Sequence, residues 1–551
     1  MNFSRAGLSE LLKDGTKHIS GVDQAVLRNI EATVQLSTLT RTSMGPNGMN
    51  KIVINHLEKL FVTHDAATIL KELEVIHPAA KIAVLAAQAQ EVECGDGTNF
   101  VVCLCGELMQ RAEDLLRMGL HTSDIIEGYK KGVEKASEIM ESLVIKPVSN
   151  LRDEKEVSGA MKSALSAKLY GYEDIISPVV ARACINACPK NFKNFNVDNI
   201  RVLKINGGAI HDIHLIEGFA IERDTHGTVK HVKDGVKVAV FGCNLDTAST
   251  ETKHSVVIKS ASDLLSYSNS EEESIEREIK SIADSGVKVV VSSGGFGEMA
   301  LHFIERCGMM AIKVASKFQL RRLCQAIGAT ALVRVGPPTA DEMGNCDSVH
   351  VEEIGDTKVI VFRQDPKNVD RAGLSTIVAR GATQNVLDEI ERAIDDGVNV
   401  YKQLTKDQRL VAGAGAFEIE LARQLTSFAE ETPGIEQYAI KKYAESFHVV
   451  PRTIAESAGY SATDIISKLN AAHEGGKVNF GVSVEDKDGM DAVEESIVDP
   501  FTTKYWAAKF ATDAAVTILS VDQIIMARPA GGPKPRNPNA GNNWDDTDEH
   551  V

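Results

Sequence analysis

At 551 residues the chain is longer than one hydrophobic core usually organises, and two to four domains are expected. Its balance of 43% hydrophobic, 25% charged and 5% aromatic residues excludes global disorder. A formal charge of −17 with no dense Lys/Arg run argues against nucleic acid and anionic membrane as partners, and no uninterrupted apolar run reaches bilayer length. The first twenty residues carry charges through any apolar core, so neither a secreted nor a membrane-embedded protein is expected. Nine scattered cysteines, with Cys103/Cys105 and Cys184/Cys188 lacking a second pair at zinc-site spacing, read as reduced, mostly buried thiols in the cytoplasm.

In chain order, apolar residues at helical spacing predict a first amphipathic helix over Val22 to Leu39, ending before Gly45-Pro46-Asn47-Gly48. Short β-rich stretches follow at Lys51 to Ile54 and near Leu60 to Thr63, and Asp65-Ala66-Ala67-Thr68 opens a helical segment. From Pro78 to Leu116 the apolar periodicity is continuous except at Gly95-Asp96-Gly97-Thr98, and another helix is expected from about Ser123 to Leu143. The middle changes character. Strand-like runs at Val236 to Phe241, Val287 to Ser292 and Met310 to Val314 alternate with helical patterns at about Glu271 to Asp284 and Gly297 to Cys307, which predicts right-handed βαβ units and a partly parallel sheet. A strand at Ser375 to Ala379 follows, then helical periodicity from Asn385 to Leu404 and onward to Ile525. The predicted fold class is multidomain, α plus α/β, with one helical domain split by an α/β insertion. Past Pro529 the Pro/Gly/Asn composition and the acidic run at Asp545 to Glu549 predict a disordered tail.

The Gly95 to Thr98 string supports two readings. Gly-Asp-Gly is ordinary turn chemistry, with Thr98 as a helix cap. It is also suited to a metal and phosphate: glycines admit close backbone approach, Asp96 offers a hard oxygen to Mg²⁺, and the helix start attracts anions. Asp65 and the Gly45 turn lie beside helices in the same region and favour the second reading if the three converge. No Walker sequence and no kinase motif series occurs.

The strings GPNGMNK (45–51), DAAT (65–68), GDGT (95–98), DDG (395–397), GAGA (413–416) and VDP (498–500) occur in an order and spacing that resembles the group II chaperonins, over about residues 10 to 530. The resemblance implies an equatorial ATPase domain (1–148 with 404–551), an intermediate hinge domain (149–216 with 370–403) and an apical substrate-binding domain (217–369). It implies ATP/ADP and Mg²⁺ as cofactors. Asp96 resembles the metal ligand, Gly45, Gly97 and Thr98 the phosphate cradle, and Met44, Pro46 and Asn99 further nucleotide-binding positions. Asp65 and Asp396 resemble the carboxylates around the attacking water, with Asp395 the competitor that the spacing to GAGA disfavours. Lys168, in SALSAK (163–168), resembles the lysine that senses the terminal phosphate, and Gly415 and Asp499 resemble nucleoside contacts.

The implied activity is ATP-driven folding of non-native cytosolic proteins, such as actin and tubulin, inside a hetero-oligomeric double ring of related subunits. A protrusion helix is expected within about Cys243 to Ser285, around Glu271 to Glu273. Relative to the family pattern, Asn50 replaces Asp, His64 replaces Asn, Ala66 and Ala414 replace Gly, and Asn99 replaces Thr. Two methyl groups and a missing hydroxyl near the nucleotide imply secure binding with slower turnover, so a ring subunit that binds ATP but acts mainly structurally is the alternative. A rival from another class is a dinucleotide-dependent oxidoreductase, suggested by the Gly294-Gly295-Phe296-Gly297 loop after a strand, although the spacing is not GxGxxG.

Overall fold

The computed structural model describes residues 17–19, 22–233, 235–246, 260–364 and 373–526. The expected disordered tail, and residues 247–259 of the expected protrusion, lie outside them.

The N-terminal part is helical. Helix α1 (Val22–Arg41) leads into an antiparallel hairpin of strands Lys51–Ile54 and Leu60–Thr63, then α2 (Ala66–Glu72), α3 (Pro78–Glu93), α4 (Thr98–Arg117) and α5 (Thr122–Ser142). Helix α4 buries an unbroken run from Phe100 to Met109. A helix apolar on all sides belongs at the centre of a bundle, and α4 packs against α1, α3 and two later helices, Glu436–Ser446 and Phe501–Leu519.

Next come α6 (Glu154–Ser166) and α7 (Glu173–Ala187), which pack on each other, α7 lying beside strands Ile200–Asn206 and Ser375–Gly381. A six-stranded sheet runs in the order 200–206, 375–381, 214–222, 357–363, 348–354, 231–232, with only its first pair parallel. Strand His214–Glu222 crosses the expected boundary at 216/217, so the sheet is continuous from one region into the next.

The insertion carries a second sheet in which strand Val236–Phe241 pairs in parallel with Val289–Ser292, and that strand in turn with Met310–Lys313. Helices α8 (Ala261–Asp284), α9 (Glu298–Arg306) and α10 (Lys317–Ile327) alternate with these strands as the periodicity requires. Helix α8 starts ten residues before the expected Glu271. Its first turns are rich in Ser and Asn, residues that compete with helix formation and hide the periodicity.

Helix α11 (Gln384–Lys406) returns the chain to the helical part, where α12 (Ala416–Glu431), α13 (Glu436–Ser446), α14 (Val449–Ser457), α15 (Ala462–Glu474) and α16 (Phe501–Leu519) complete the bundle. One core draws Val26 to Met140 together with Val411 to Leu519. Strand Lys17–Ile19 pairs with Ile524–Met526, so the two ends of the described chain close one body. A second core joins Val148 to Ile213 with Ile377 to Leu410, and the insertion packs on both faces of its sheet. These are called below the helical, connecting and α/β bodies.

Candidate functional site

A cavity of about 540 Å³ opens between the helical body and the connecting body. The residues singled out in the sequence, Met44, Gly45, Pro46, Asp65, Asp96, Gly97, Thr98, Asn99, Lys168, Asp396, Gly415 and Asp499, all line it. They come from seven separate stretches of chain, so only folding brings them together.

The turn between α3 and α4 is built around two left-handed glycines, Gly95 at φ +71° and Gly97 at φ +80°. A Cβ on Gly97 would lie 2.9 Å from Thr503 Cγ2, so both conformation and space demand glycine. Gln90 Nε2 donates to the carbonyls of Asp96 (2.9 Å) and Thr503 (3.2 Å), pinning the turn to α16. The expected cap at Thr98 is not what forms: Gly97 is the N-cap, without a side-chain bond, and Thr98 is the first helical residue. The first-turn amides of α4 therefore have no intrahelical acceptor and stand at the cavity wall.

Asp65 caps α2, accepting from Thr68 N–H (3.1 Å) and Thr68 Oγ1 (2.7 Å). Lys168, just past α6, places Nζ 3.3 Å from Asp65 Oδ1 and 2.7 Å from Asp396 Oδ2, midway along α11. All three side chains are at most 16% exposed, so the pairing is little screened. Burial works to raise the Asp65 carboxyl, but the Lys168 charge and the Thr68 bonds outweigh it and hold it below the ordinary range. At Asp396 burial wins over Lys168, with Asp96 and Asp65 adding to it, and the carboxyl lies well above the ordinary range. Asp395 does not line the cavity; burial and Glu391 push it up to about 6.

At the other end Gly415 (φ +80°) caps α12, where a Cβ would meet Pro451 Cβ at 2.8 Å. Ala414 also takes a left-handed conformation, φ +53°, and its carbonyl accepts from Val482 N–H at 2.9 Å. The methyl expected to crowd the site thus strains its own backbone. Asp499 is not free: Oδ1 accepts from Ser163 Oγ at 2.7 Å and Oδ2 lies 3.2 Å from Lys504 Nζ, which is 2.6 Å from Glu418 Oε1. Ser163, Lys504, Glu418 and Gln90 were missed in the sequence. Lys504 alone left a signal, a lysine close to the start of an apolar helix, the end where the dipole disfavours a cation.

Asn99 has its side chain engaged elsewhere. Its Nδ2 donates to Thr40 O at 3.1 Å, and its Oδ1 accepts from Cys103 Sγ at 3.3 Å, tying α4 to the end of α1. What Asn99 offers the cavity is its backbone.

Among the described residues no group of three or more His, Cys, Asp or Glu side chains is preassembled for a metal. A Mg²⁺ ion bound through one carboxylate, with phosphate oxygens and water completing its shell, does not need one. Asp96 fits that demand: burial, then the Asp499 charge, push its carboxyl above the ordinary range, and a cation would relieve both.

The glycine amides of the Gly294 loop are taken within the protein. Gly295 N–H donates to Asn244 Oδ1 (3.0 Å), Gly294 N–H to Ser292 Oγ (3.1 Å) and Gly297 N–H to Leu245 O (2.8 Å). With those amides spent inside the protein, the dinucleotide reading falls.

The sequence pattern of the TCP-1/cpn60 chaperonin family matches residues 36–529, and the chain belongs to that family. It is 53% identical to T-complex protein 1 subunit theta of Dictyostelium discoideum, over 96% of this chain and 98% of that one. The Homo sapiens protein of that name is 51% identical over 98% of both chains, and the Arabidopsis thaliana one 50% identical over 97% of both. No helix among the described residues is long and apolar enough to cross a membrane.

Proposed function

We propose that the chain is an ATP-hydrolysing subunit of a cytoplasmic, hetero-oligomeric double-ring chaperonin that encloses non-native proteins. The observation that carries this reading is Lys168 held between Asp65 of the helical body and Asp396 of the connecting body, at the wall of a cavity lined by a glycine turn and a helix start. The helical, connecting and α/β bodies are then the equatorial, intermediate and apical domains.

In this reading the amides near Gly45 and at the start of α4 hold the phosphates, with Met44 and Pro46 shaping that wall. Asp96 would hold Mg²⁺, which neutralises phosphate charge. Gly415 lets the chain pass close to the nucleoside, and Asp499 receives ribose hydroxyls on the oxygens it now shares with Ser163 and Lys504. The two carboxylates divide the work because their environments push them apart. Asp396, with the higher proton affinity, takes the proton of the attacking water, and Asp65, kept ionised, orients that water. Lys168 neutralises charge between them and is the group that a terminal phosphate would draw away. Because Asp396 rides on α11, hydrolysis waits until the connecting body is docked.

The test is single-turnover hydrolysis by rings carrying Asp396→Ala in this subunit alone, beside intact rings. Loss of this subunit's turnover with nucleotide still bound is expected; unchanged turnover overturns the catalytic role. Unchanged turnover with bound nucleotide would instead favour the second reading, a slow, mainly structural ATP binder, for which the strained Ala414 is the motivating observation.

A further inference from the structure

Two neighbouring residues at the end of the hairpin, His64 and Asp65, meet the same helix at two points. Asp65 reaches it through Lys168 and Asp396. His64 reaches it directly, with Nδ1 3.1 Å from Glu389 Oε2 and 2.8 Å from Asn50 Oδ1. The His64 and Glu389 side chains are 10% and 14% exposed, so this is an enclosed contact rather than a surface pair. Both oxygens facing Nδ1 are acceptors, which assigns the proton to Nδ1.

Glu389 and Asp396 are seven residues apart, two turns of α11, and so share one face of it about 10 Å apart. A helix held at one point is free to roll and slide. A helix held at two points along one face has its register and its rotation set. Burial alone would raise the Glu389 carboxyl, yet the His64 and Thr63 contacts hold it below the ordinary range, and Arg392 Nη1 stands 3.8 Å from its other oxygen. Glu389 therefore stays charged at the point of contact. None of the hydrolytic roles assigned above uses His64 or Glu389.

We propose that His64 is a positioning residue for hydrolysis: by donating Nδ1–H to Glu389 it docks α11 on the helical body in the register that puts Asp396 beside Asp65. The proposal rests on the reading of the cavity as an ATP site. It predicts that loss of the contact slows turnover without weakening nucleotide binding, since a displacement of about 1 Å at a reacting group costs up to about a hundredfold.

The experiment uses assembled rings in which only this subunit carries His64→Leu, Glu389→Leu, both, His64→Asn or His64→Gln. Turnover is measured above that of Asp396→Ala rings, KM for ATP is measured alongside, and amide hydrogen exchange over 384–396 is read without nucleotide. The two Leu variants should each lower kcat about tenfold, leave KM within about twofold, and speed exchange in that segment. The double variant should be no worse than either single. His64→Asn, which keeps a donor at the δ position, should restore docking, whereas His64→Gln, which moves the donor one bond outward, should not. Additive losses in the double variant, an Asn variant as impaired as Leu, or unchanged exchange would each overturn the proposal. If unsubstituted rings bind no ATP, the ATP reading fails by itself, and the coupled exchange of His64 and Glu389 still decides the docking contact.

Discussion

Two glycine-rich loops each follow a regular element and open a helix, Gly95 to Thr98 before α4 and Gly294 to Gly297 before α9, and they differ in what surrounds them. In the first, two glycines are left-handed, the turn is pinned by Gln90, and the helix-start amides border a cavity that is also lined by five aspartates and three lysines. In the second, the amides of Gly294, Gly295 and Gly297 are consumed by Ser292, Asn244 and Leu245. The Gly95 and Gly97 amides are spent internally as well, on Gln90 O and Asp96 Oδ1, so what points to a ligand is the convergence of charged groups from elsewhere on the helix start that the motif opens. Motif spelling alone does not separate the two.

The largest expected effect concerns the charges lent to the first loop. Lys168→Met leaves Asp65 and Asp396 facing each other without their common cation. Removing one partner of a nearly buried network should cost about 3 kcal/mol, read as a lowered unfolding midpoint of the rings with ATP absent. An unchanged midpoint would mean that the convergence of charge contributes nothing to folding, and the contrast between the loops would reduce to backbone geometry.

Acid should then separate the two regions. His448, at the start of α14 in the helical body, is pushed down to about 4 by burial and by Arg452. The unfolded chain takes up that proton near pH 6.5 while the folded one resists, so stability present above about pH 6.5 is lost as pH falls toward 4. A shift of this size corresponds to about 3 kcal/mol. Hydrogen exchange should show α14 loosening over that range, and His448→Gln should remove the pH dependence.

A matched pair of substitutions sharpens the loop comparison further. Gly97→Ala adds a left-handed penalty and a contact at 2.9 Å, and should cost about 2 kcal/mol and most of the binding of a fluorescent ATP analogue. Gly295→Ala meets nothing within 4 Å and should stay within about 0.5 kcal/mol with binding intact. Equal effects would erase the distinction. The smallest change runs the other way. Ala414→Gly relieves a left-handed alanine at φ +53° and should stabilise the rings by about 0.5–1 kcal/mol, seen as a slightly raised unfolding midpoint.

The periodic segments were readable because periodicity is local. Helices α1, α3, α4, α5 and α11 lie within two residues or so of where the apolar spacing put them, and the hairpin strands fall at the expected positions. Helix α8 was half hidden because Ser and Asn mask its first turns. At the cavity, the residues singled out lie mostly in short strings of Gly and Asp, which locally read as turns equally well; the order and spacing of the strings along the chain, through the family resemblance, singled them out. Ser163 and Asp499 are 336 residues apart, and Lys504 and Glu418 are 86 apart. No local pattern couples such pairs.

By itself the sequence determined the strongly periodic helices and strands, that an α/β insertion splits a helical unit, and short strings of Gly and Asp that the fold brings to one cavity. These follow from backbone conformational limits and from the 3.6- and 2-residue periods, which act over a few neighbours. Only the tertiary structure decided that Asp396 and not Asp395 lines the cavity, that Asn99 spends its side chain on Thr40, that the glycine amides of the Gly294 loop are taken within the protein, and that His64 grips α11. Each of those depends on which atoms meet once distant segments pack, and the burial and neighbouring charges that lower the Asp65 carboxyl and raise those of Asp96 and Asp396 exist only after they do.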